Sequence, residues 1–262
     1  MTTSISTINL KNDFGEIHKI RRVVTAEYPI TISDLKPSSD KMHLGTCLIL
    51  LKSLFNHLTS LELLIESCYV ESAGAVATSL WEKSITLQYL LLDLNNRMTI
   101  YSDHETFKRS PWNIKTMVTD IVKNEQLPGN KKIEDSADLL YLQYSYLCAI
   151  KHGNPYTVTY LNRHVVGENF FEPSPRVAIE DKDILGLLYL YSITTFFDAM
   201  REFSKSFCSE DNHKNLKHVD NQISKNMNNL ELKVPTIIMT SAKDFRPEFW
   251  DLLINLTGKH SS

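Results

Sequence analysis

Glycine is scarce, 8 residues in 262, and alternating strand-like patterns are rare. Both deficits point away from a β-rich fold, which needs tight turns and period-two faces. No GxGxxG, P-loop, GxSxG or HExxH occurs. The motif-level grounds for dinucleotide binding, P-loop chemistry, a nucleophile-elbow hydrolase or a zincin protease are therefore lacking. Cysteine is limited to Cys47, Cys68, Cys148 and Cys208, with no CxxC pair. That spacing supports neither a zinc ribbon nor a dithiol redox motif, and it reads as buried free thiols in a reducing compartment. Glu62 and Glu66 share a helix face, but the pair of ExxH motifs that the ferritin-like di-iron set needs is missing. His57 to Glu62 reads as a water-facing strip, and His18, His43, His164, His213, His218 and His260 have no ligand spacing. No metal and no cofactor is expected.

Charge of one sign is also lacking. A net charge of -3 offers no general attraction to nucleic acid or to an anionic membrane. The start, MTTSISTINLKNDFGE, has no basic end followed by an apolar core. The apolar run Ile184–Phe197 falls short of the about 18 residues a membrane helix needs. The expectation is a cytoplasmic protein with no membrane partner.

What the chain does have is helical periodicity. Phe14, Ile17, Ile20 and Val24 predict a first helix over about Leu10–Ala26, followed by a connector broken by Pro29 and Pro37. Leu50, Leu54, Leu58, Leu61, Ile65 and Cys68 form the seam of a long second helix to about Tyr69, capped by Ser38, Ser39 or Asp40. Ser110-Pro111 predicts a helix start, with serine as N-cap and proline at the first helical position. A helix over about Asp135–His152 stops at Gly153, and residues 153–179 have no helical period. Leu185, Tyr189, Ser192, Phe196, Ala199 and Phe203 mark a strong helix ending near Phe207. The fold expected is all-α: a multi-helix bundle with a long irregular loop and a C-terminal tail whose Leu232–Met239 segment is strand-like. Its parts are an N-terminal helix and connector (1–39), a bundle core (40–207), and a C-terminal helix and tail (208–262).

The stretch Glu71–Leu94 sets the organisation. It carries one apolar stripe through Ala73, Ala77, Leu80, Ser84, Leu87 and Leu91, and another through Ala75, Thr78, Glu82, Ile85, Tyr89 and Leu92. Two apolar stripes place a helix in the middle of a bundle with neighbours on both sides. The third stripe, with Ser79, Lys83 and Thr86, is polar enough to meet water. The small residues Ala73, Gly74, Ala75 and Ala77 allow a close neighbour. Glu82 interrupts an apolar stripe, and a buried carboxylate requires a partner. His152, on one face with Tyr141, Ser145 and Cys148, lies in the last turn of its helix, where the dipole favours a protonated ring. The expectation is a buried Glu82–His152 contact with Tyr89 or Tyr144 nearby. It serves either to fix helix register or to form a pocket beneath the 153–179 loop.

A second pattern is Arg97-x6-His104. Its spacing resembles that of helical ribonucleases of the HEPN class, in which an arginine and a histidine at a helix-dimer interface assist attack of the RNA 2′-hydroxyl. Met98 stands where that class usually carries a polar residue. More broadly, Glu82 with Tyr89, then Tyr144-Ser-Tyr-Leu-Cys148 leading to His152-Gly153, then a loop and an acidic start to a long helix, resembles an uncharacterised family of bacterial all-helical proteins. The likeness covers about Leu50–Phe207. Members resemble HEPN-like bundles, several kinds of which act in phage defence or toxin modules. The family usually has an arginine a few residues before the glutamate; here those positions are Ala77, Thr78, Ser79 and Leu80, which leaves Glu82 to His152 or Lys151. The resemblance implies a helical interaction or effector protein of a bacterial defence module, acting as a homodimer or with a partner protein. Two other readings stand beside it: a metal-independent ribonuclease using Arg97 and His104 on RNA, and a small-ligand (nucleotide) sensor built on Glu82, Tyr89, Tyr144, Lys151 and His152.

Overall fold

The computed structural model describes residues 4–37, 41–104, 110–125, 130–152, 177–178 and 182–227, and these described residues lie almost wholly in helices. The helices are α1 (Leu10–Asp13), α2 (Gly15–Ser33), α3 (Lys41–Glu66), α4 (Val70–Leu92), α5 (Leu94–Ser102), α6 (Ile114–Asn124), α7 (Asn130–Lys151), α8 (Lys182–Phe207) and α9 (Glu210–Met227). A two-residue antiparallel pair joins β1 (Ser4–Ile5) to β2 (Val177–Ala178). The all-α multi-helix bundle is thus observed. The expected strand at Leu232–Met239 and most of the 153–179 loop lie outside the described residues.

α4 occupies the centre. It packs against α3 and α8, and also against α7 and α6. Both apolar stripes are used: Ala73, Ala77, Leu80, Ser84 and Leu87 are buried, as are Thr78, Ile85 and Tyr89. Trp81, which belongs to neither stripe, is also buried. α3 and α4 form an antiparallel hairpin, shown by the contact of Lys83 with Ser53 and His57. The turn between them passes through Cys68, whose backbone is left-handed at φ 56°. The α8 seam is buried throughout, from Leu185 to Phe203. α2 and α9 pack on α8 and on each other, so both termini of the described chain share one core with the 40–207 segment.

Several local expectations are corrected. The first helix is split at Phe14, after α1 is capped by the Asn9 side chain, and α2 then continues through Pro29 to Ser33. Proline inside a helix removes one hydrogen bond and crowds the preceding turn. Here packing outweighs that cost, because Tyr28 stacks on Phe55 with centroids 4.4 Å apart and leans on Phe196 at 5.9 Å. The Ser110-Pro111 helix start is also displaced. Asn113 caps α6 by accepting from the Lys115 N–H at 2.8 Å, so Ser110 and Pro111 form the approach to the helix.

α3 is one helix, among the described residues, long and apolar enough by length and composition to cross a membrane. In the bundle its inner face, from Cys47 to Ile65, is buried against α4 and α8, and that face includes the carboxylate of Glu62.

Candidate functional site

A cleft of about 960 Å³ opens where α4 meets α7 and the segment leading into α6. Glu82, Lys83 and Thr86 line it from α4, Tyr144 from α7, Leu50 from α3, and Tyr101, His104 and Ser110–Ile114 from the α5–α6 side. The sequence-derived residues divide sharply around this cleft.

Glu82 is not trapped among hydrocarbon side chains: its side chain is 34% exposed. The Tyr144 hydroxyl donates to its Oε1 at 3.0 Å, and the Lys151 ammonium stands 3.8 Å from the same oxygen. The expected Glu82–His152 contact is replaced by these two partners, because α7 turns Lys151 toward the carboxylate and leaves His152 exposed. Residues on adjacent helical positions point about 100° apart, so one turn of α7 cannot offer both. Burial, then bonding with Cys148, then the adjacent Glu82 charge raise the Tyr144 pKa, and its hydroxyl stays a donor. Its ring stacks on Trp81 at 5.0 Å and 22°.

Tyr89 is buried below the cleft wall, with its ring edge against Trp112 at 5.1 Å. Arg97 lies over the other part of this packing, 3.6 Å from the Tyr89 ring centroid. Its guanidinium donates to the Tyr89 carbonyl at 2.7 Å and faces Asp120 at 3.7 Å. His104 lines the cleft. The arginine thus staples α4, α5 and α6 together, and the histidine stands at the cleft.

Trp112 and Tyr101 face each other almost in parallel, 6.2 Å apart at 10°, and give the cleft an aromatic wall. On the α3 side stands a group that local sequence did not reveal. The Lys83 ammonium donates to Ser53 Oγ at 2.9 Å and stands 3.2 Å from His57 Nε2. His57 Nδ1 is 2.7 Å from the Ser53 carbonyl. A carbonyl only accepts, so Nδ1 carries the proton and Nε2 offers its lone pair to Lys83. Burial lowers the pKa of both: for His57 the Ser53 bond opposes this and the Lys83 charge adds to it. The polar stripe expected to meet water thus turns toward α3. The one available signal was the i,i+4 spacing of Ser53 and His57 on a helix antiparallel to Lys83.

Burial also lowers His18 and His213. All three depressed histidines carry the same sign. The unfolded chain titrates near about 6.5 and binds protons that the folded chain refuses, so stability is complete above that value and is lost as pH falls below it. The contribution of these histidines to the urea midpoint is expected to be flat from pH 8 to 7 and to drop toward pH 5.5, opposed there by Asp198, whose carboxyl burial pushes up to about 7. His57→Gln is expected to shallow that drop; an unchanged slope would show that His57 is not the proton-refusing group.

Among the described residues no group of three or more His, Cys, Asp or Glu side chains is arranged to hold a metal ion. No protein-family model, no curated protein and no solved structure matches the chain.

Proposed function

We propose that this chain is a helical interaction or effector protein whose state is read from a small ligand bound in the cleft. The observation that carries the reading is one cavity that combines a stacked aromatic wall, a phenol–carboxylate pair and an amine. A concave site with apolar faces and a few convergent polar groups is the usual form of a small-molecule site. The parallel rings of Trp112 and Tyr101 suit a flat heteroaromatic ring, Glu82 accepts from its N–H or hydroxyl groups, and Lys83 donates to its acceptors. A nucleoside or nucleotide has this chemistry.

A bacterial defence module is the setting that the helical-family resemblance suggests, with a cytoplasmic location and a homodimer or partner protein as output. Met42, Ile49 and Leu63 offer an apolar surface for that output, because they are 64%, 71% and 63% exposed on α3. The ribonuclease reading has less support, since the Arg97 guanidinium is engaged by Tyr89 and Asp120.

The test is a thermal-shift and calorimetric screen of nucleosides and nucleotides against the full chain. A binding ligand raises Tm with its concentration. Trp112→Ala is expected to weaken that ligand at least tenfold while far-UV circular dichroism stays unchanged. No shift from any member at millimolar concentration would remove the reading.

A further inference from the structure

We propose that Lys83 is a nucleophilic amine that takes a carbonyl-bearing aromatic ligand of the cleft as an imine. The proposal rests on the cleft being a small-molecule site and gives the ligand an aldehyde or ketone, a group that the lactam carbonyls of a nucleobase do not supply.

The argument begins with what surrounds the ammonium. Lys83 lines the cleft and touches Ser53 Oγ at 2.9 Å and His57 Nε2 at 3.2 Å. Both partners are neutral. The carboxylate next in the chain, Glu82, is directed to Tyr144 and Lys151 on α7 instead. Among the described residues Lys83 thus has no counter-charge, although it is partly withdrawn from water. A lysine in that position loses the solvation of its charged form and recovers none of it from an ion pair. Its pKa is lowered accordingly. Surface lysines in this protein are held differently: Lys19 and Lys214 pair with Glu16 and Glu210.

The same geometry supplies a proton path. His57 presents a lone pair to Lys83, because its other nitrogen is tied to the Ser53 carbonyl. The Lys83 ammonium passes one proton to His57 Nε2 and becomes the free amine. Its nitrogen lone pair attacks the carbonyl carbon, the C–N bond forms, and the oxygen becomes a hydroxyl as the nitrogen gives up a proton to it. The carbinolamine then loses that hydroxyl, which leaves as water with the proton returned by His57. The net change is ammonium plus carbonyl giving protonated imine plus one water, with no oxidant or reductant. The ring of the ligand lies against Trp112 and Tyr101, as the cleft wall dictates.

The experiment uses the full chain, 2-hydroxybenzaldehyde below one equivalent, and cyanoborohydride at pH 7.5 to fix any imine as a secondary amine, followed by peptide mass spectrometry. Lys83 is expected to be labelled at least tenfold faster than the exposed Lys52 and Lys123. Its rate-against-pH midpoint is expected below the about 10.4 of an ordinary lysine. Lys83→Arg, which keeps the charge and the fold, is expected to abolish labelling at that position only. Labelling of Lys83 no faster than Lys52 overturns the proposal even if a nucleoside binds the cleft and loses affinity in Trp112→Ala. Fast Lys83 labelling supports it even if the nucleotide screen finds nothing, so the two readings fail separately.

Discussion

Arg21→Ala is expected to lower the unfolding free energy by about 3 kcal/mol, the size typical of removing one partner from a buried ion pair. The reason is the site of Glu62. Its side chain is 11% exposed, and Arg21 clamps it bidentately, Nε to Oε1 at 2.5 Å and Nη2 to Oε2 at 2.9 Å. The Tyr189 hydroxyl also donates to Oε1 at 3.0 Å, so its oxygen is left to accept from His18 Nδ1 at 3.3 Å. Without the guanidinium, one phenol faces a desolvated carboxylate alone. Glu62→Gln is expected to cost less, because the amide keeps an acceptor for Tyr189 and Arg21 is 26% exposed and reaches water. The double variant is expected to be more stable than Arg21→Ala alone, since the stranded charge is gone. Urea denaturation of the three variants checks the order; a loss below about 0.5 kcal/mol in Arg21→Ala would mean the pair is worth no more than a surface contact.

Gly74→Val is expected to destabilise by about 3 kcal/mol, at the upper end of overpacking costs. A Cβ at Gly74 meets Ile150 Cγ2 at 2.3 Å and Ile150 Cβ at 2.9 Å, closer than real side chains stand. Ile150 is 2% exposed, so it cannot move aside into solvent. The change drives α4 from α7, whose contact also holds Tyr144 on Glu82 and Trp81. Ile150→Ala in the same chain is expected to recover more than half the loss, and valine at Gly45, where nothing lies within 4 Å, is expected to cost under about 1 kcal/mol. Equal losses at both glycines would point away from the α4–α7 crossing as the cause, since valine is a better helix former than glycine.

The candidate site was legible only in fragments. Glu82 was found because it interrupts an apolar stripe, Tyr144 was named with Tyr89 as a nearby group, and the structure brings Glu82 and Tyr144 together. Glu62 was assigned to water, yet it is a buried acid, because its partners come from residues 41 positions before it and 127 after it. Trp81 and Trp112 escaped for a related reason. Trp81 falls between the two stripes and is covered because α7 lays Tyr144 on it, while Trp112 sits in a non-helical approach whose place depends on Tyr89 and Tyr101.

Helix content, the central rank of α4 and the α8 seam follow from residue order alone. An apolar residue every three or four positions makes a stripe whose burial is favourable whatever covers it, at about 25 cal/mol per Å². The identity of the covering element is not a local property. Each helix presents several faces at 100° steps, and only the assembled packing decides which polar side chain on a face meets an arginine, a tyrosine, a histidine or water. The persistence of α2 past Pro29, the exchange of Glu82 for Glu62 as a buried acid, and the turning of Lys83 onto Ser53 and His57 were settled at that level, where long-range contacts outweigh local preference.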